Sequence, residues 1–363
     1  MTQFDPTAPL PGPPEPWSET DTPSHRDGPP YHMTDMIAAQ PHLARRLLTQ
    51  QATPDSAAAR LASVIREAAL AGRPVVLAGC GTSEHGALGA VDILADALTT
   101  AGLPTTGLVA AQAFELALDP ASTGVVIGIS HEGATQATND ALRASRDAGA
   151  SVALVTVSAR SPGAALVDPD LVVETGELDT SWCHTVGYLS PLLVAAAVGG
   201  HLTGRAPDPD AVGDLFASSA GDSAAAERIA GELAQSSGLI VIGSGVDRIA
   251  GRELTLKVEE AAWIPSAYRD LETFLHGHLP ATGERTGLIV VATDRHRRSD
   301  RMARVRNALA AARTVGTRVA AIVSAEADRL LPADAAPAGR LVIPEADALP
   351  APVASLIGSA AAL

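Results

Sequence analysis

Residues 74–83 read Pro74-Val75-Val76-Leu77-Ala78-Gly79-Cys80-Gly81-Thr82-Ser83, and a helical pattern follows from about Glu84 to Ala101. A short apolar run closed by glycines and two hydroxyls predicts a strand buried on both faces that turns directly into a helix. The pattern recurs downstream. A strand over Gly124–Ile129 runs into Ser130-His131-Glu132-Gly133-Ala134-Thr135 and a helix to about Ala148, and strands at Val152–Val157 and Leu171–Glu174 follow. Strand and helix alternate, which predicts a parallel sheet with right-handed crossovers.

The series then repeats. Gly243, Leu288, Val319 and Leu341 stand 164, 164, 167 and 170 residues after Gly79, Gly124, Val152 and Leu171, each in an apolar strand. The fold class is therefore α/β, two tandem domains, each a parallel sheet flanked by helices in three layers. The expected divisions are a disordered Pro-rich segment over 1–32, a first domain over 33–205, a linker over 206–222 and a second domain over 223–363. The first domain opens with a helical pattern from Met33, which Pro41 is expected to interrupt.

Bulk properties agree with this and exclude other classes. The 363 residues suit two domains. Hydrophobic residues make up 46% but aromatics only 3%, so the core must be aliphatic. A formal charge of -15 argues against nucleic acid as a partner. The basic clump of Arg295, Arg297, Arg298, Arg301, Arg304 and Arg306 reads as a solvated helix face. Two cysteines, Cys80 and Cys183, make no disulfide scaffold and suit a reducing compartment. No apolar run approaches the roughly 18 residues of a membrane span, and the polar start lacks a signal peptide's apolar core. A cytoplasmic protein without a membrane partner is expected.

Ligands of open parallel sheets bind beyond the carboxyl ends of the strands. Two turns belong there. Gly81-Thr82-Ser83 offers close backbone approach and two hydroxyls at a helix N-terminus, a setting for an anion. Ser130, Gly133 and Thr135 offer the same, although a hydroxyl after a strand also serves as an ordinary helix cap. In the second half, Glu253, Lys257 and Glu260 fall at i, i+4 and i+7, one face of a helix. They read as a solvated salt-bridged face or, given Leu254, Leu256 and Val258 between them, as a half-buried set. His276-Gly277-His278 follows in a loop. A carboxylate, an ammonium and an imidazole together can shuttle protons between two carbons. The two histidines also fit a metal reading, but no cysteine or carboxylate cluster at ligand spacing supports it, and no metal or other cofactor is expected.

With those residues in view, the chain resembles the sugar-isomerase (SIS) family, the group that includes the isomerase half of glutamine–fructose-6-phosphate amidotransferase. The resemblance runs over about residues 33–363. The family's C-G-T-S turn is reproduced by Cys80–Ser83, and most of its S-x-S-G-x-T turn by Ser130–Thr135. Of its E-G-x-L-K-x-K-E helix, Glu253–Glu260 keeps the first Glu, the Leu, the first Lys and the last Glu; its H-G-P loop begins sixteen residues later, at His276. The resemblance implies an aldose–ketose isomerase or amino-sugar isomerase/deaminase acting on a sugar or sugar phosphate, or a sugar-binding module that does not catalyse. It implies that Gly81, Thr82, Ser83, Ser130, His131, Glu132, Gly133 and Thr135 hold the ligand. It implies that Glu260 moves a proton between C1 and C2, that Lys257 polarises an oxygen and that His276 opens the ring. A homodimer is implied too, with His276 reaching the partner's site.

Four departures matter. Thr2 stands where the glutaminase nucleophile would be, so amidotransfer is not expected. Glu132, beside His131, replaces a serine of the second turn and is repulsive to phosphate. Trp182–Leu189 matches the family's V-A-S-T-K-A-F-T segment weakly, placing His184 and Thr185 toward the sugar. The Schiff-base Lys of the family's C-terminal tail has no counterpart, and His278 replaces the Pro of H-G-P.

Overall fold

The computed structural model describes residues 28–181, 183–219, 223–360 and 362. The Pro-rich stretch expected to be disordered falls outside these up to residue 27, as does Trp182. The chain divides into two units, Met1–Gly213 and Asp214–Leu363.

In the first unit α1 (His32–Gln51) and α2 (Ala57–Leu70) precede β1 (Val75–Gly79), α3 (Thr82–Thr100), β2 (Leu108–Gln112), α4 (Ala113–Leu118), β3 (Val125–Ile129), α5 (Gln136–Ala148), β4 (Ser151–Thr156), β5 (Val172–Glu174) and α6 (Val186–Thr203). All strand pairs are parallel, in the order β2-β1-β3-β4-β5. Strand β1 lies inside the sheet: Val76 registers with Val109 on one side and Val126 on the other. Alternate residues serve alternate faces. Val76, Val126, Val152 and Leu154 pack with Leu116 of α4 and Leu142 of α5. Helices α1, α2, α3 and α6 pack together as the other layer. There α3 and α6 approach so closely that a Cβ at Gly86 would lie 2.6 Å from the Pro191 ring.

Two sequence expectations change here. Helix α1 runs unbroken through Pro41. Met36, Leu43, Leu47 and Leu48 are all buried, and that stripe holds both halves to one axis despite the lost backbone hydrogen bond. Helix α6 is long and apolar enough to cross a membrane by length and composition, contrary to the sequence estimate, but 89% of it is buried inside the protein. It is a core helix, covered by α1, α2 and α3.

Helix α7 (Pro209–Ser219) spans the division between the units, in the stretch read as a linker, and buries Val212, Leu215 and Phe216. The second unit continues with α8 (Ser223–Leu233), β6 (Gly238–Gly243), α9 (Asp247–Ala262), β7 (Ser266–Asp270), α10 (Leu271–Thr273), β8 (Thr286–Ala292), α11 (Arg298–Thr314), β9 (Arg318–Ser324), α12 (Ala325–Asp328), β10 (Gly339–Ile343) and α13 (Ala351–Ala360). Its parallel sheet has the order β10-β9-β8-β6-β7, the first unit's topology read from the other edge. Helices α8 and α9 cover one face and α10 and α11 the other. In both sheets the strand order reverses beside the first strand, at β1/β3 and β6/β8, which places a crevice at their carboxyl ends.

Each sheet has five strands, one more than the sequence pattern shows. The extra strands, β2 and β7, are edges. Their residues are half-buried or exposed, and Ser266-Ala267-Tyr268-Arg269-Asp270 has neither an apolar run nor clean alternation.

Asp247, first residue of α9, pins that helix to the end of β8. Its carboxylate is 3% exposed and accepts the Thr293 and Asp294 amides at 2.9 and 3.0 Å and the Thr293 hydroxyl at 2.5 Å. Burial pushes its pKa up to about 6, against the pull of those hydrogen bonds. The folded state therefore holds a proton that the unfolded state releases near pH 4. This contribution to stability is complete below pH 4 and is lost as pH rises through 6. Denaturant titrations of the unmutated protein and Asp247→Asn between pH 4 and 7 should differ in slope, with about 2–3 kcal/mol of pH dependence absent from the variant.

Candidate functional site

The crevice at β1/β3 is lined by the two hydroxyl turns. Gly81 precedes α3 with φ +56 and ψ −126, a conformation that only glycine adopts easily, and no side chain caps that helix. A Cβ at Gly79 would lie 2.6 Å from the Ser83 carbonyl, so the helix starts flush against the strand end. Thr82 is buried and Ser83 half-buried. The neighbouring turn closes through Gly133 N–H to Ser130 O at 3.1 Å, with Gly133 at φ +67. The Gly133 carbonyl accepts from Gly163 N–H at 2.8 Å and Asn139 Nδ2 at 3.2 Å. Ser130 Oγ donates to Thr135 Oγ1 at 3.3 Å. Thr135 stands exposed at the start of α5 without capping it. Glu132 is half-buried on the same turn.

His131 does not face this crevice. It is 7% exposed, and its Nε2 accepts the Asp179 amide at 2.8 Å. Burial, and then the neighbouring His184, lower its pKa to about 4, so the ring is a neutral acceptor with its proton on Nδ1. The expected ligand role of His131 is replaced by an internal one. Asp179, which the sequence reading missed, is 5% exposed. Its Oδ1 accepts Ser181 N–H at 3.0 Å and Ser181 Oγ–H at 2.6 Å. Its Oδ2 accepts Thr185 N–H at 2.6 Å and Gly187 N–H at 3.2 Å. It thus caps α6 from six residues upstream of Thr185, outside the window in which a capping residue is recognisable. His184 and Thr185 are half-buried, and the His184 ring meets His131 edge-on at 5.2 Å. The segment is pinned on its other side by Arg46, which donates to Thr175 O at 3.0 Å and pairs with Glu177 at 3.1 Å. Burial raises the Glu177 pKa despite that pairing.

In the second unit α9 brings Glu253, Lys257 and Glu260 together. Lys257 Nζ lies 3.3 Å from Glu253 Oε1 and 2.6 Å from Glu260 Oε2. Glu253 is 1% exposed and the Lys257 side chain 9%, while the Glu260 side chain is 32% exposed. This is the half-buried arrangement, not a solvated face.

His276 is elsewhere. It follows the carboxyl end of β7, whereas α9 runs back from the carboxyl end of β6, so Glu260 lies about 20 Å along the helix from Asp247, toward the strands' amino ends. One chain does not unite the two. His276 is exposed and its Nε2 lies 2.8 Å from Glu272 Oε1 and 3.2 Å from Arg304 Nη2. Arg304 grips both Glu272 oxygens at 2.5 Å and holds that carboxyl below the usual range. Of the arginine clump, Arg295 and Arg298 are mostly buried against Glu345 and Arg301 against Asp294, so only part of it is a solvated face. Among the described residues no group of three or more His, Cys, Asp or Glu could hold a metal ion.

No family model matches the chain, and no curated protein matches it. Solved structures do match. The C-terminal domain of glucosamine-fructose-6-phosphate aminotransferase from Francisella tularensis superposes with a TM-score of 0.75 at 16% identity, over 93% of this chain and 96% of that one. Tagatose-6-phosphate ketose/aldose isomerase from Escherichia coli gives 0.70 at 18%, over 94% and 93%. Glucosamine-6-phosphate deaminase from Thermotoga maritima gives 0.62 at 14%, over 92% and 94%. The fold expected from the sequence, two tandem α/β domains each with a parallel sheet between helix layers, is the fold observed, and these solved structures share it.

The clamp on Lys257 has an energetic signature. Lys257→Ala strips the buried Glu253 of its ammonium and should cost about 3 kcal/mol in denaturant unfolding. Glu260→Gln, at a partly exposed partner, should cost under about 1 kcal/mol.

Proposed function

We propose that the protein is a sugar-phosphate isomerase of the aldose–ketose type, with Glu260 as the proton-transfer base. The observation that carries this reading is the buried Lys257 ammonium held between two carboxylates, one sealed and one open. Glu260 is the open one. It takes the proton from the carbon beside the carbonyl of an open-chain sugar and returns it to the neighbouring carbon, while the hydroxyl proton crosses in the opposite sense, so aldose and ketose interconvert with no change in composition. Lys257, once it turns toward the substrate, stabilises the oxygen that bears negative charge in the enediolate. Glu253, 3.3 Å from Nζ, holds Lys257 in place.

The finer identity we infer is an amino sugar. Glu132 on the turn at the crevice disfavours phosphate there and favours a hydroxyl or an ammonium. The solved structures that share the fold include a ketose/aldose isomerase and a deaminase of amino-sugar phosphate, which supports both reaction types at the level of fold. His276, oriented by Glu272 and exposed, suits ring opening in a site completed by a second copy of the chain.

A second reading, a sugar-binding regulatory protein, draws support from the same Glu132. One experiment separates them. Fructose 6-phosphate, tagatose 6-phosphate, glucosamine 6-phosphate and their unphosphorylated forms are incubated with the protein in deuterated water, and label at C1 and C2 is read by NMR. Exchange that drops about 100- to 10,000-fold in Glu260→Gln, with binding retained, is expected for the isomerase. Binding of any of these sugars without exchange in the unmutated protein would establish the regulatory reading instead.

A further inference from the structure

Building on the isomerase reading, we propose that Asp179 and His131 are positioning residues that lock His184 and Thr185 to the Ser130–Thr135 turn, so that the two segments present one ligand-reading edge. The segment from Thr175 to Thr185 joins β5 to α6 without regular structure, yet it buries Glu177, Asp179, Ser181 and Cys183. Buried charge in a loop is costly unless every lone pair is used. Asp179 meets that condition, with four donors on its two oxygens.

What Asp179 fixes is the start of α6, where His184 and Thr185 stand. What it is fixed to, through its own amide, is His131. His131 belongs to the hydroxyl turn, and its carbonyl accepts from Val157 N–H at 2.8 Å and Thr156 Oγ1 at 3.1 Å. The imidazole therefore bridges the two segments, through the Asp179 amide and through its edge contact with His184. Gly187 completes the fit, since a Cβ there would lie 2.8 Å from His184 Nδ1. Around this joint Thr135 is exposed and Glu132 and His184 are half-buried; Glu132 and His184 are the side chains that add chemistry other than hydroxyls. Thr185 Oγ1 is buried and makes no hydrogen bond among the described residues, so one donor and two acceptor lone pairs remain open beside His184.

The joint can be read without a ligand. Nitrogen-15 NMR of the unmutated protein should show His131 as the neutral Nδ1–H tautomer from pH 8 to pH 5. Hydrogen exchange should show the Thr185 and Gly187 amides losing at least tenfold protection in His131→Phe and in Asp179→Asn, with the Val126 and Leu154 amides unchanged. His131→Gln, whose amide oxygen can accept from Asp179, should restore protection to within about threefold. With a sugar phosphate that is turned over, KM should rise at least tenfold in His131→Phe and kcat should change less. An Nε2–H tautomer, titration of His131 near pH 6.5, or unchanged protection in both variants overturns the proposal. Lost protection in a protein that binds none of the sugars leaves the joint standing and removes the isomerase reading. Turnover with unchanged protection does the reverse.

Discussion

Parallel strands can be joined only by a crossover, and the first strand of each sheet here lies inside the sheet, not at its edge. From β1 the chain crosses one way to reach β2, and from its neighbour β3 the other way to reach β4; from β6 and β8 it does the same to reach β7 and β9. The connections diverge at that point, and no crossover covers the strand ends between them. That constraint puts glycine-rich turns at the ends of β1 and β6, and both sheets obey it. They use it differently. In the first unit the turn region presents hydroxyls. In the second, the Asp294 carboxylate accepts the Val246 amide at 3.2 Å and pairs with Arg301 at 3.3 Å, and Arg301 donates to Ser244 at 2.7 Å. Gly245, at φ +62, leaves room for that pair, so the protein's own ion pair fills the second crevice. One topology thus yields one crevice lined by hydroxyl turns and one closed from within.

The second unit offers its chemistry away from its crevice, on the far half of α9. An ammonium as buried as Lys257 survives because two carboxylates flank it, and breaking such a set costs more than forming it gains. The asymmetry in exposure between Glu253 and Glu260 separates structure from reactivity. Glu253 is sealed and can only hold. Glu260 reaches solvent and is the carboxylate of the pair that a substrate could meet, as a base must be.

Much of this was readable from residues alone, because strands buried on both faces write themselves as apolar runs. Val75–Ala78 and Leu288–Ala292 announce β1 and β8, and the near-constant spacing of such runs announces the repeat. The edges β2 and β7 were silent because half-exposed strands carry no such run. The face shared by Glu253, Lys257 and Glu260 follows from helical spacing, but whether it was solvated or buried depended on tertiary packing. The inward turn of His131 was beyond reach. Its partner Asp179 lies 48 residues away, and Asp179 caps its helix from upstream of the usual position. The arginine clump misread in part for the same reason: Glu345, which neutralises Arg295 and Arg298, is far off in sequence.

The charge on Glu132 bears on what the open crevice can hold. At about 5 Å and an effective dielectric near 20, a carboxylate and one phosphate charge repel by about 3 kcal/mol. The uncapped start of α5 returns only about 0.3–1 kcal/mol to any anion placed there. A phosphate at the Ser130–Thr135 turn would therefore displace Glu132 or be displaced by it. The Gly81–Ser83 turn opens on α3, a longer helix with no side-chain cap, and the carboxylate of its first turn, Glu84, accepts from Gln112 Nε2 at 3.4 Å. Under the proposed isomerase reading, the first turn would take the anion and the second the neutral or cationic part of the same molecule. A sugar with phosphate at one end and an amine or bare hydroxyls at the other satisfies both. A sugar with phosphate at each end satisfies only one.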